Sequence, residues 1–126
     1  MSNKDNDVEN TDLANDSEIY ADQVTTQLKK GLLSYCVLLV CEDNVYTSEI
    51  ITRLKGAELD VVEGTIYPLL ARMQKDGLLT HSWQESPQGP PRKYYQITDF
   101  GRAVRSKLQG SIGTINCAIQ NLEGNK

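Results

Sequence analysis

The chain is poor in the residues that bind metals or carry out covalent chemistry. Its single histidine, His81, has no cysteine or carboxylate at ligand spacing, and no Ser, His and Asp arrangement accompanies it. No metal site, cofactor or enzymatic activity is therefore expected. Cys36, Cys41 and Cys117 are odd in number and lack zinc spacing, and the first two stand in an apolar run, where buried thiols are the plain reading. No stretch reaches the roughly 18 apolar residues of a membrane span. The first residues are acidic and polar where a secretory leader would be basic and then apolar. A cytoplasmic protein without a membrane partner is expected. With 126 residues, 39% of them hydrophobic, the chain suits one small domain with a modest core.

Positive charge is also scarce, with 13 Lys and Arg against 17 Asp and Glu and a net charge of -4. The deficit is local. Residues 1–19 set Lys4 against Asp5, Asp7, Glu9, Asp12, Asp16 and Glu18, a net of -5, which leaves +1 for residues 20–126. This acidic stretch, rich in Asn, Asp and Ser and nearly free of aromatics, predicts a disordered tail. Salt screens such a tail over about 8 Å, so it need not cancel a basic patch elsewhere.

From about Tyr20 the pattern becomes helical. Val24, Leu28, Leu32, Tyr35, Cys36, Leu39 and Val40 recur at steps of three and four, one face of a first helix. Tyr35 to Cys41 is almost continuously apolar and should be covered on more than one side. A second, shorter helix is predicted from Thr47 or Ser48, whose hydroxyl could cap it, to Gly56, with Ile50, Ile51 and Leu54 inside. A third runs from about Val62 to Asp76, with Val62, Ile66, Leu69, Leu70 and Met73 inward. Its outer face is Glu63, Thr65, Tyr67 or Pro68, Arg72 and Lys75, and Gly77 closes it. Asp60 and Glu63 have capping-box spacing, but Pro68 has no amide to donate, so a kink or a later start is predicted. Gly64 would let the backbone approach a phosphate, with Thr65 and Tyr67 supplying hydroxyl donors.

Leu78 to Trp83 and Arg92 to Ile97 read as two strands around a loop, Ser86 to Pro91, that proline and glycine keep irregular. Tyr94 and Tyr95 alternate, so one belongs to the core and the other does not. Trp83 reads as a packing anchor. Arg92 and Lys93 place cations on the return of this ribbon, where they can reach phosphate or a narrow minor groove. Thr98 should cap a last helix, with Asp99 in its first turn. Along it Phe100, Val104, Leu108, Ile112, Ile115, Ile119 and Leu122 form a seam too long for one small domain to cover. Pairing with a second copy through this seam, with Val24 and Leu28 of the first helix, is the economical account.

The expected architecture is mainly α with a small two-stranded β-wing: a disordered tail over 1–19, a winged helix-turn-helix domain over 20–98 and a dimerisation helix over 99–126. A helix with a free polar side can lie in a major groove while an adjacent cationic hairpin holds phosphates. The candidate DNA contacts are Tyr46, Ser48, Glu63, Gly64, Thr65, Tyr67, Arg72, Arg92 and Lys93.

The order Glu-Gly-Thr-Ile-Tyr-Pro-Leu-Leu at 63–70, Lys75-Asp76-Gly77-Leu78, Pro-Arg-Lys-Tyr-Tyr at 91–95, then Ile97-Thr98 and Gly101 resembles the PadR-like transcriptional regulators, specifically their short subfamily. The resemblance covers Leu28 to Val104 well and the last helix loosely. It implies a homodimeric repressor that binds a double-stranded DNA operator, often near its own gene and near efflux or detoxification genes, and is released by a small aromatic or hydrophobic effector. By the same match Thr65, Tyr67 and Lys93 take phosphate-contact positions. Relatives often carry Tyr-Gly-Tyr where Tyr46, Thr47 and Ser48 stand here. Short members that bind planar drugs can use a Trp on the last helix, whereas Trp83 lies on the wing, so no effector-binding residue is assigned. The competing reading is a winged-helix protein-interaction module that does not bind DNA, favoured by the acidic total and by Arg72 and Lys75 as the only cations on the third helix's outer face.

Overall fold

A computed structural model describes residues 3–124, and the side chains of 12–124. The chain divides into two units, Met1–Leu33 and Ser34–Lys126. The first consists of helix: α1 runs Asn3–Val40, and from Asp12 to Leu32 its side chains are exposed, apart from half-buried Lys29. A helix thus stands over most of the acidic stretch whose composition predicts disorder, while Met1 and Ser2 lie outside the described residues.

The second unit contains the end of α1, then β1 (Val45–Tyr46), α2 (Thr47–Gly56), α3 (Glu63–Lys75), β2 (Leu79–Ser86), β3 (Gly89–Ile97) and α4 (Asp99–Gly124). The strands form one antiparallel sheet in the order β1-β3-β2. Among the described residues a third strand, β1, joins the expected two-stranded wing of β2 and β3. β1 was missed because two residues, Val45 and Tyr46, pairing with Tyr95 and Tyr94, carry no alternation to read.

The core of this unit is made by Val37 and Leu38 from α1, Cys41 just after it, Val45 from β1, Ile50, Ile51 and Leu54 from α2, Ile66, Leu69, Leu70 and Met73 from α3, and Leu79, Tyr95 and Ile97 from the sheet. Each fully buried aliphatic side chain among them contributes about 1.5–3 kcal/mol. Of the apolar stripe on α1, Val24, Leu28, Leu32 and Leu39 are exposed. Val37 and Cys41, four residues apart, mark the buried side, and the continuous run from Tyr35 to Cys41 had blurred which face that was.

α2 buries the three residues expected of it, but its N-cap is Tyr46 and no side chain caps it. Thr47 and Ser48 already lie inside the helix, so their hydroxyls do not cap. α3 likewise begins at Glu63 behind Val62, again without a side-chain cap, so the Asp60–Glu63 capping box does not form. Val62, expected inside, is 70% exposed, because it is extended (φ -84°, ψ 145°) and the helical periodicity does not yet apply to it. Pro68 lies inside α3. At the other end Gly77, at φ +83°, donates to the Gln74 carbonyl and Leu78 donates to that of Met73, a Schellman closure that needs a left-handed residue.

The wing is more regular than its prolines suggested. Its turn is only Pro87 and Gln88, and Pro90 and Pro91 belong to β3. Between the Gln84–Arg92 and Ser86–Gly89 pairs the register shifts, and the prolines occupy this irregularity, where no ladder amide is required of them. Thr98 caps α4 as expected: its hydroxyl accepts from the Gly101 amide at 2.9 Å and donates to the Gly77 carbonyl at 2.6 Å. Along α4 only Gly101 is buried; Phe100, Ile115, Ile119 and Leu122 are exposed, and Val104, Leu108 and Ile112 are half-buried.

Candidate nucleic-acid interface

Three local devices bring polar groups to one place. β1 ends at Tyr46, so the chain enters α2 with Thr47 half-buried and Ser48 exposed beside the strand. α3 turns Tyr67 outward, half exposed, because Ile66, Leu69 and Leu70 occupy its buried side. β3 pairs with β1 at Tyr94 and Tyr95, which carries Arg92 and Lys93, just upstream, to the same region. The result is an open cleft of about 300 Å³ lined by Tyr46, Thr47, Ser48, Tyr67, Arg92 and Lys93.

The two cations belong to opposite faces of the ribbon. Arg92 pairs with Gln84 and Lys93 with Trp83, and successive strand residues alternate sides. The Arg92 guanidinium carbon lies 4.7 Å from the centre of the Tyr46 ring, which meets the Tyr94 ring edge-on, with centroids 5.6 Å apart. Lys93 Nζ lies 5.1 Å from the Tyr95 ring centre and 6.0 Å from that of Trp83. Tyr95 is therefore the core member of its pair and Tyr94 the half-buried one. Trp83 is 63% exposed and is not the packing anchor expected: it lies on the core-facing side of the ribbon but beyond the reach of the core, which ends at Tyr95.

Charge pairing distinguishes these cations from Arg53, Arg102 and Arg105. Arg53 bonds Asp43 and Glu49 at 3.0 and 2.8 Å, which raises its pKa, the Asp43 hydrogen bond foremost. Arg102 meets Glu42 and Asp99, and Arg105 also meets Glu42, whose carboxyl is held below its usual range chiefly by the Arg105 hydrogen bond. Among the described residues, Arg92, Lys93, Arg72 and Lys75 form no ion pair. The cleft thus holds positive charge not neutralised by a neighbouring carboxylate, together with three types of hydroxyl, on Thr47, Ser48 and the tyrosines. That is a chemistry for anionic oxygen.

Of the nine expected contact residues the cleft gathers Tyr46, Ser48, Tyr67, Arg92 and Lys93. Glu63 and Gly64 are exposed in the first turn of α3, Thr65 is half-buried, and Arg72 is exposed in its last turn, all outside the cleft. Thr47 was missed as a lining residue, because it was read as a helix cap. Burial pushes the Cys41 thiol up to about 12 and also raises that of Cys36, which removes both from easy thiolate chemistry, whereas Cys117 is exposed. Among the described residues no cluster of His, Cys, Asp and Glu could hold a metal, and no helix is long and apolar enough to cross a membrane.

Comparison with known proteins gives this arrangement its relatives. Residues 37–107 match the model of the transcriptional regulator PadR-like family. A PadR-like transcription factor from Bacteroides fragilis is 44% identical, with a TM-score of 0.68 over 79% of this chain and 98% of its own. A PadR-like transcriptional regulator from Bacillus cereus is 40% identical, with a TM-score of 0.68 over 76% of this chain and 95% of its own. A PadR family regulator from Eggerthella lenta, 24% identical with a TM-score of 0.79 over 90% of this chain and 99% of its own, shares the fold.

Proposed function

Since the chain belongs to the PadR-like family of transcriptional regulators, which are DNA-binding proteins and not enzymes, we propose that it is a homodimeric cytoplasmic repressor released from its operator by a small hydrophobic or aromatic effector. The observation that carries the DNA contact is the cleft, where Arg92, Lys93, Tyr46, Thr47, Ser48 and Tyr67 meet without a carboxylate paired to either cation. A phosphate seated there would receive charge-assisted bonds from the wing and hydroxyl bonds from two helices, fixing the register of α3 on the duplex. Glu63, Gly64, Thr65 and Arg72 then fall to α3 itself. A carboxylate repels phosphate, so Glu63 is assigned to a base edge such as the cytosine amino group, and Gly64 admits the backbone at close range. Arg72, a turn and more away, serves a flanking phosphate.

Two copies are needed to present two such surfaces to successive turns of a duplex. The exposed Val24 and Leu28, and the α4 seam of Phe100, Val104, Leu108, Ile112, Ile115, Ile119 and Leu122, support the pairing. Its aliphatic side chains are also the surface a hydrophobic effector would meet.

The test is a gel-shift with the DNA upstream of the protein's own gene across a salt series. Affinity should fall steeply as salt rises. Arg92→Ala with Lys93→Ala should abolish the shift at moderate salt while the elution volume of the protein stays unchanged. Binding that ignores salt, or no binding to any duplex, would instead favour a protein-interaction module.

A further inference from the structure

We infer that Tyr46 is a positioning residue: its ring holds the Arg92 guanidinium in the orientation from which it engages the DNA backbone, an inference that rests on the DNA-binding reading above. An exposed arginine without an ion pair ordinarily spreads over many rotamers. Arg92 is exposed and unpaired among the described residues, yet its guanidinium carbon sits 4.7 Å from the Tyr46 ring centre, inside the roughly 6 Å reach of a cation–π contact.

The platform is itself fixed twice. Tyr46 is half-buried and is the last residue before α2, so its backbone is set by that helix. Its ring is braced by Tyr94 at 5.6 Å and an interplanar angle of 66°, and Tyr46 and Tyr94 are register partners between β1 and β3. Tyr94 and Arg92 are two residues apart on β3 and share a face. One strand therefore supplies both the guanidinium and the brace of the ring beneath it. The stack sets the distance from the wing to Thr47 and Ser48, the next two residues of the chain and partners of Arg92 in the cleft. A ring beneath a guanidinium occupies one face of the plane and leaves its N–H edges free, the edges that donate to phosphate oxygens. Lys93, on the other face, is a point charge without such an edge to orient.

The test combines DNA affinity with a readout on the free protein. With a fluorescein-labelled, mixed-sequence duplex, Arg92→Ala should weaken binding about eightfold at about 0.1 M salt and lower the log–log salt slope by about 0.9 for each Arg92 engaged. Tyr46→Leu should reproduce both changes, although it removes no charge. Tyr46→Phe, which keeps the ring, should retain the original slope and bind well above Tyr46→Leu, and Tyr46→Leu with Arg92→Ala should be no weaker than either alone. In the free protein the Arg92 Nε–Hε resonance should be shifted upfield by the ring and less mobile than that of Arg72; the upfield shift should persist in Tyr46→Phe. This measurement on the unaltered chain holds even if Tyr46→Leu fails to fold.

A Tyr46→Phe protein as weak as Tyr46→Leu would make the hydroxyl a DNA contact in its own right and overturn the positioning role. Losses that multiply in the double variant, or an Arg92 Nε as mobile as that of Arg72, would overturn it too. Absence of salt-dependent binding by the unaltered protein would defeat the DNA reading and, with it, the purpose assigned to Tyr46; an upfield Arg92 resonance in that case would show that the stack exists without that purpose.

Discussion

At Gly101 a Cβ would run into the Leu78 carbonyl oxygen and stand 2.7 Å from Ile97 Cγ1, so Gly101→Ala must push the start of α4 away from the β2 and β3 ends. Overpacking against backbone of this kind costs about 1–3 kcal/mol, and the urea midpoint should drop with an unchanged m-value. Glu42 makes a different kind of contact, bridging Arg102 and Arg105 of α4 from the turn after α1. Its pKa is lower folded than unfolded, so the stability it adds is complete above the ordinary value of 4.5 and is lost as pH falls through the lowered one. Glu42→Gln should therefore lower the melting temperature at neutral pH, and its difference from the unaltered protein should vanish in acid. Chemistry confined to a few neighbouring residues was legible in the sequence: Thr98 as a cap and Gly77 as a helix stop each follow from local rules. The Arg92–Tyr46 stack was not, because it joins residues 46 positions apart through a strand register that no local pattern encodes.

Among the elements, α3 tests how far helix rules carry. Its extent and four of its five inward residues follow from periodicity, and Pro68 is accommodated inside it. Lacking an amide, Pro68 leaves the Gly64 carbonyl without its intrahelical donor. Pro68 is exposed, so Pro68→Ala adds that bond without disturbing the core and should stabilise the fold, by up to about 3 kcal/mol on the helix-propensity scale, as read from the urea midpoint. The wing shows the opposite limit. Prolines at 90 and 91 argued for a loop, yet a register shift absorbs them and the ribbon continues almost to its turn. The short β1 and the buried side of α1 escaped the sequence for related reasons: two residues hold no period, and an unbroken apolar run holds several at once.

For the whole molecule, the largest unfinished business is apolar surface. α4 has 26 residues and buries only Gly101, with Phe100, Ile115, Ile119 and Leu122 of its seam exposed. If a second copy covers that seam, folding and association are one equilibrium and the melting temperature must rise with protein concentration. Replacing Ile115 and Ile119 with glutamate should abolish that dependence and halve the mass seen by light scattering. The division of charge was legible from sequence, as was the apolar seam of α4, since both rest on counting residues along the chain; the number of strands and the lining of the cleft depend on tertiary pairing.

The wet seam on α4 also bears on dosage. If a second copy covers it and the pair is what binds DNA, then below the midpoint of self-association the paired population grows with the square of the amount synthesised, and a promoter under such control responds to small changes in expression as a threshold and not as a ramp.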